Sequence, residues 1–337
     1  MMRYILSVLT ALVMLQSCKE GPQVPDTSGI EVEVKVRRME QEVMALKSKE
    51  EIAQFLSENP RVDSLYFLQA FQHRPITREQ EIEMIWRFIN NEHTEKLLEE
   101  SYKDLEDMTP IVKELEEGFK LMKYYFPDFK EPELYTMISG FGMSGFGGDF
   151  VDGRDFVVLG IDYFSDSVSY QPPHLPLYMY KRYQPSYISA ALLTLLSREY
   201  INYNLKDRTL VNEMLAYGKA HEIRRRTLPH VADTTLWGWS AEELEGAYAN
   251  EQLIWSYFIE NELLFDTKAI TSKKFCGEAP TVPEISPECP GRIGRWLGWR
   301  IIQQYMEKYP EKSLQEVLEI DDAKELLYQS GYRPPQE

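Results

Sequence analysis

What this chain has little of narrows its identity first. It holds three cysteines and five histidines in 337 residues. That supply excludes a disulfide-dense scaffold and a multi-cysteine zinc module. Basic residues are outnumbered, with 37 Lys and Arg against 54 Asp and Glu and a net charge of −17. Such a balance argues against nucleic acid as a partner and against an electrostatic grip on anionic lipid. Beyond the N-terminal segment no apolar run is long enough to span a bilayer. There is no internal repeat and no low-complexity tract. The glycines between Phe141 and Gly148 are not followed by Lys-Ser/Thr, so they do not read as a phosphate cradle. What remains, 43% hydrophobic and 27% charged, is a globular balance with enough length for a sizeable core.

The N-terminus is more specific. Arg3 precedes a short apolar run, Tyr4 to Leu15, which is followed by Gln16-Ser17-Cys18. A basic start, an apolar stretch too short to span, and a small residue before a cysteine describe a bacterial lipoprotein signal. Residues 1–17 are expected to be removed and Cys18 to carry lipid as the new N-terminus. Residues 18–30, with Pro22 and Pro25, read as a lipidated tether, and residues 31–337 as one domain. Its N-terminal half, to residue 130, reads as helical, and the rest, 131–337, as the core. The expected address is the cell envelope, lipid-anchored and facing the periplasm. Which membrane holds it stays open.

Along the chain, Val32-Val34-Val36 alternates as a strand does. Helical spacing marks 38–45, 49–58, 64–71, 78–89, 94–102 and 104–125, the last broken near Pro110. Glu133 to Gly140 and Asp155 to Asp162 read as two strands, and the turn Asp152-Gly153 favours an antiparallel pair. Helices are expected again over 186–204, 209–225, 240–264, 290–308 and after Ser313. Ser240-Ala-Glu-Glu243 is a capping box. The fold class is α+β, mostly helical, with a small antiparallel sheet.

Cys276 and Cys289 flank a Pro-rich stretch, so in an oxidising compartment a disulfide closing that loop is expected. Gly294 and Gly298 would let another element approach their helix closely. Trp296 and Trp299 either pack in the core or, with Arg292 and Arg295, form a partner surface. The arginines, Arg300 included, would hold internal carboxylates or face an acidic partner. Trp237-Gly-Trp239 reads as a packed loop rather than a sugar platform.

Several longer stretches carry a resemblance. They are Leu159-Gly-Ile-Asp-Tyr-Phe164, Leu210-Val-Asn-Glu-Met-Leu-Ala-Tyr-Gly-Lys219, Glu251 to Leu264, and Pro290-Gly-Arg-Ile-Gly-Arg-Trp-Leu-Gly-Trp-Arg300. Together with the lipoprotein signal, the chain resembles the gliding motility lipoprotein GldB family of Bacteroidota over nearly its whole length. That family in turn is similar to zincin-like metallopeptidases of the gluzincin type. In those a helix carries His-Glu-x-x-His, two imidazoles at i and i+4 hold zinc, and the glutamate acts as general base. The matching frame here is Arg198-Glu199-Tyr200-Ile201-Asn202, with Glu213 at the position of the third ligand. Both histidine positions are lost. Arg198 would put a guanidinium where a cation should sit, and it is expected to pair with Glu213 or Glu199.

The resemblance therefore implies a pseudo-peptidase: no zinc, no cofactor beyond the lipid on Cys18, and a non-catalytic part in an envelope protein complex for gliding and associated secretion. Two other readings stay open. One is a periplasmic lipoprotein that binds a peptide or glycan in the vestigial cleft. The other is a hydrolase using Glu199, Glu213 and His221.

Overall fold

The computed structural model describes residues 24–64, 76–142, 148–153, 155–165, 171–173 and 175–335. The signal segment, Cys18, most of the helix expected over 64–71, and the centre of the glycine-rich stretch lie outside them.

The chain opens with β1 (Val36–Arg38). Helices follow: α1 (Met39–Met44), α2 (Lys49–Glu58), α3 (Arg78–Ile89), α4 (Glu92–Leu105) and α5 (Thr109–Tyr125), with a single helical turn, Pro60–Val62, after α2. Local chemistry sets their starts. Ser48 accepts from the Glu51 amide at the head of α2, and Thr77 with Gln80 forms a capping box on α3. The helical stretch 104–125 is broken near Pro110 as expected, between Leu105 and Thr109, and Pro110 lies within α5. It sits in the first turn, where a missing amide costs nothing.

The sheet corrects the antiparallel expectation. Its strands are β1, β2 (Glu133–Met137), β3 (Phe150–Asp152) and β4 (Phe156–Gly160), in the order β1-β2-β4-β3. β2 pairs parallel to both β1 and β4, with Glu133 opposite Phe156. Only β3 runs antiparallel to β4, across the Asp152-Gly153 turn. Two returns of the chain set this. Helices between β1 and β2 bring it back to the same end of the sheet, and β3, which runs antiparallel to β4, brings it back again after β2, so β4 points the way β2 does. β4 is buried along its whole length, as a strand covered on both faces must be. The first strand also starts later than the Val32-Val34-Val36 alternation predicts.

The C-terminal part is helical: α6 (Ile188–Leu196), α7 (Leu210–Thr227), α8 (Asp233–Trp237), α9 (Ala241–Ala249), α10 (Glu251–Glu260), α11 (Ala269–Phe275), α12 (Ile293–Lys308), α13 (Leu314–Glu319) and α14 (Ala323–Ser330). The helix expected over 240–264 is interrupted at Asn250, after the capping box at Ser240.

Two apolar clusters organise the molecule. One joins α2–α5, the sheet and α6; the other joins α10, α11, α12 and α14. Helix α7 serves both, with Ile223 in the first and Leu210, Val211, Met214 and Leu215 in the second. It therefore buries polar residues on several sides: Asn212, Lys219, His221, Glu222 and Thr227. Most are matched locally, and the Nε2 of His221 is the exception. Lys219 Nζ donates to the carbonyls of Asn202 (2.8 Å), Leu318 (3.1 Å) and Ile320, so it caps the C-terminal end of α13. Glu222 accepts from Trp299 Nε1 at 2.9 Å and from Arg226 at 2.6 Å.

Candidate functional site

The frame Arg198–Asn202 does not form a metal-binding helix face. α6 ends at Leu196, residues 197–200 wind as a tighter 3-10 turn, and Ile201 is extended. Residues at i and i+4 share a face only on a continuous α-helix. Arg198 and Glu199 are exposed, and Arg198 makes no side-chain hydrogen bond or ion pair among the described residues. The expected Arg198 pairs with Glu199 or Glu213 are not formed. Glu213 instead accepts from Ser272 Oγ. Asn202 is tied to the end of α13, its amide donating to Leu318 O at 3.1 Å. Among the described residues no three His, Cys, Asp or Glu side chains gather as a metal site.

The two thiols also differ from expectation. Cys276 and Cys289 are both buried and free. Their loop is closed by backbone instead, through a Thr281–Pro290 bridge and a Val282 amide donating to Cys289 O at 2.8 Å. Burial pushes the Cys289 thiol up to about 12, and Cys276 is raised for the same first reason.

Trp296 and Trp299 are not a partner surface. They are 0% and 1% exposed. Their helix crosses α7 at close range at Gly298, where a Cβ would run into the Met214 carbonyl, and meets the end of α11 at Gly294, where a Cβ would meet Cys276 Sγ and Phe275 O at 3.0 Å. Arg300 reaches inward as well, donating to Glu251 at 2.8 Å.

Arg292 and Arg295 instead line a cleft of about 530 Å³ between the start of α12, α7, α6 and the loop before α6. Five arginines border it: Arg182, Arg198, Arg224, Arg292 and Arg295; Asp149 is the acidic residue on its wall. One carboxylate behind the wall, Glu278, serves three of the cations, at 2.6 Å from Arg182, 3.3 Å from Arg295 and 3.7 Å from Arg292. Burial works to raise Glu278, but Arg292, Arg182 and Arg295 outweigh it and hold it below the usual carboxylate range. Asp149 is also engaged, accepting from Tyr183 Oη at 3.0 Å. The Arg295 guanidinium lies 4.2 Å from the centre of the Tyr217 ring.

Arg224 is the deepest element. It donates to Leu236 O at 2.9 Å and lies 3.1 Å from His221 Nδ1. It has no carboxylate partner among the described residues, and its Nε is buried with no acceptor. Arginine can only donate, so His221 Nδ1 must be the acceptor and the neutral ring carries its proton on Nε2. That Nε2 is buried without a partner, as is Trp237 Nε1. The His221 ring stacks on Trp237 at 3.6 Å and meets Trp299 edge-on at 4.9 Å. Burial first, then Arg224, Arg225 and Arg292, hold His221 well below its usual value. Burial, then Arg295, lowers Arg224 to about 10. Burial, then Arg182, lowers Arg292 to about 9. Both stay cationic at neutral pH.

Arg292 adopts φ 64°, a left-handed backbone that a non-glycine residue rarely takes. Strain of this kind collects where a side chain must be aimed. Trp237 and Trp239 are buried and stacked at 5.3 Å, so the loop is packed as expected, although Trp237 also reaches the cleft wall. Arg182 and Arg224 were not singled out in the sequence. The run Arg224-Arg225-Arg226 on a helix of an acidic protein was the available signal.

A mixed α+β protein, helical for the most part, with an arginine-lined cleft, is the class that fold and site define. The chain belongs to the family of gliding motility protein GldB, whose model matches residues 20–334. No curated protein and no solved structure matches it. Among the described residues no helix is long and apolar enough to cross a membrane.

Proposed function

We propose that the chain is a non-catalytic lipoprotein of the cell envelope that serves the gliding motility and associated secretion machinery of a Bacteroidota cell. Lipid on Cys18 ties it to a membrane, the folded part faces the periplasm, and its partner is an envelope protein complex. The observation that carries this reading is the family match over residues 20–334. The lipoprotein signal ending at Cys18 is consistent with it. The idea of descent from a zincin-like peptidase that lost its zinc rests on the sequence frame Arg198–Asn202 and gains nothing from the 3-10 turn found there. We read the protein as needing no cofactor besides the lipid.

The hydrolase alternative finds no support in the geometry. Glu199 is exposed, Glu213 bonds to Ser272, and His221 is sealed between indoles. A binding role is favoured by one specific observation, the arginine-lined cleft.

The test is fractionation and crosslinking in intact cells of a gliding host. The wild-type protein is expected in the membrane pellet and Cys18→Ala in the soluble fraction. Deletion is expected to stop gliding, and crosslinking to capture a discrete complex. Only monomer on crosslinking, together with unimpaired gliding after deletion, would overturn the reading.

A further inference from the structure

The cleft concentrates positive charge in a protein that is otherwise strongly acidic. Five arginines border it, against Asp149 on the wall and Glu278 behind, while the whole chain carries −17. Three of the five share Glu278. The other two, Arg198 at the rim and Arg224 in the depth, have no carboxylate at all among the described residues. A half-buried cation such as Arg224, with its Nε shielded and no counter-ion, weakens a fold, and an anion that arrives from outside would relieve that cost.

The geometry of the donors narrows the ligand. Guanidinium is a planar fork that fits carboxylate or phosphate oxygens two at a time. Two of the five forks are free of acidic partners, which suits a ligand with two such groups. Arg224 Nε and Trp237 Nε1 are buried donors still lacking acceptors. The remaining wall is apolar or aromatic, including Leu195 and Tyr217. A volume of about 530 Å³ lies within the range of small-molecule sites, about 300–1,000 Å³. The strained φ of Arg292 places a third cation on the same wall.

We propose that this cleft binds a small organic anion carrying at least two carboxylate or phosphate groups, with Arg198 and Arg224 as its principal contacts. The proposal holds whether or not the chain serves gliding.

The experiment is isothermal titration of the full chain in detergent, at low ionic strength, with citrate and with pyrophosphate, against chloride as the reference anion. At least one probe should bind saturably at one site per chain, with a sub-millimolar Kd that weakens as salt is added. Binding by citrate alone assigns a carboxylate ligand, binding by pyrophosphate alone a phosphate ligand, and binding by both the shared oxyanion chemistry. Arg198→Ala, at an exposed side chain with no partner to lose, should weaken binding tenfold or more with unchanged thermal stability. Arg224→Gln should weaken it further. Arg87→Ala, on α3 and outside the cleft, should leave it unchanged. Should Arg224→Gln fail to fold, Arg198→Ala decides alone. The proposal falls if neither probe saturates, if binding survives the Arg198 and Arg224 substitutions, or if Arg87→Ala weakens it equally.

Discussion

Gly218 on α7 and Gly298 on α12 face each other backbone to backbone: a Cβ added to Gly218 would lie 2.6 Å from the Gly298 carbonyl carbon. The two longest helices of the second cluster therefore cross without side chains between them, and this close crossing sets the positions of Lys219, His221, Arg224 and Arg295. Gly298→Ala forces that crossing apart. It should cost about 3 kcal/mol or more by the overpacking of a tight core. Gly246, inside α9 with nothing within 4 Å, is the contrast. Gly246→Ala should stabilise by about 0.5–1 kcal/mol, since it only restricts the unfolded chain. Urea midpoints of the two variants check both signs.

The neutral His221 makes stability depend on pH in a defined direction. Its folded value lies well below 6.5, because burial and the cations Arg224, Arg225 and Arg292 oppose a second proton. The unfolded chain then binds the extra proton first as pH falls through 6.5. Stability is therefore fully present above that pH and lost below it, at up to about 1.4 kcal/mol per pH unit. Asp162 works in the opposite sense: burial raises it, so its protonated form favours the folded state. His221→Phe keeps a ring in the stack but cannot titrate. The unfolding free energy of wild type minus that of His221→Phe should hold level above pH 6.5 and fall as the pH drops from there to 5. A difference that stays constant would show that His221 does not titrate there.

Lys219 tests the join between α7 and the end of α13. It gives hydrogen bonds to three carbonyls, and burial lowers it to about 8, with Asp321 pulling the other way. Lys219→Met keeps the stem and removes the donors, which leaves those carbonyls without the partner that capped them. A loss of about 2–4 kcal/mol is expected. Hydrogen exchange should show the loss first in residues 314–320, where two of the carbonyls belong.

Much of the helical skeleton was legible because local chemistry decides it. The spans 49–58 and 78–89 are found where their apolar spacing puts them, the box at Ser240 marks a true helix start, and a helix begins after Ser313 as expected. The Gly294 and Gly298 pair correctly announced a close approach. Sheet direction was not legible, because it depends on where the intervening helices and the return strand β3 bring the chain back, and not on β2 and β4 themselves. The 3-10 turn at Ser197–Tyr200 was hidden too, since its residues suit an α-helix equally well. The cleft was least visible of all. Its cations come from the loop at Arg182, the turn at Arg198, the last turn of α7 and the start of α12, and only packing brings those together. Arg292 and Arg295 stood out in the sequence, but no local signal separates a basic stripe facing a partner from one facing a cavity.

Glu278 connects that cavity to stability. It is the carboxylate shared by Arg182, Arg292 and Arg295, and their charge, acting against burial, holds it below the ordinary range. A depressed carboxylate stabilises the fold above its unfolded value, near 4.5, and loses that contribution as pH falls through the folded value. Glu278→Gln keeps the shape and removes the charge, leaving three clustered cations to repel one another. Breaking a buried pair costs about 3–5 kcal/mol, and with the Glu278 side chain 31% exposed the expected loss at pH 7 is nearer about 2–3 kcal/mol. The same substitution should tighten binding of an added oxyanion, because the three arginines then have only the ligand to neutralise them. Thermal unfolding of wild type and Glu278→Gln with and without citrate reads both effects at once. The variant should melt lower without citrate and gain more from it than wild type does. An equal gain in both would mean that the Glu278 cluster and the ligand do not share their cations.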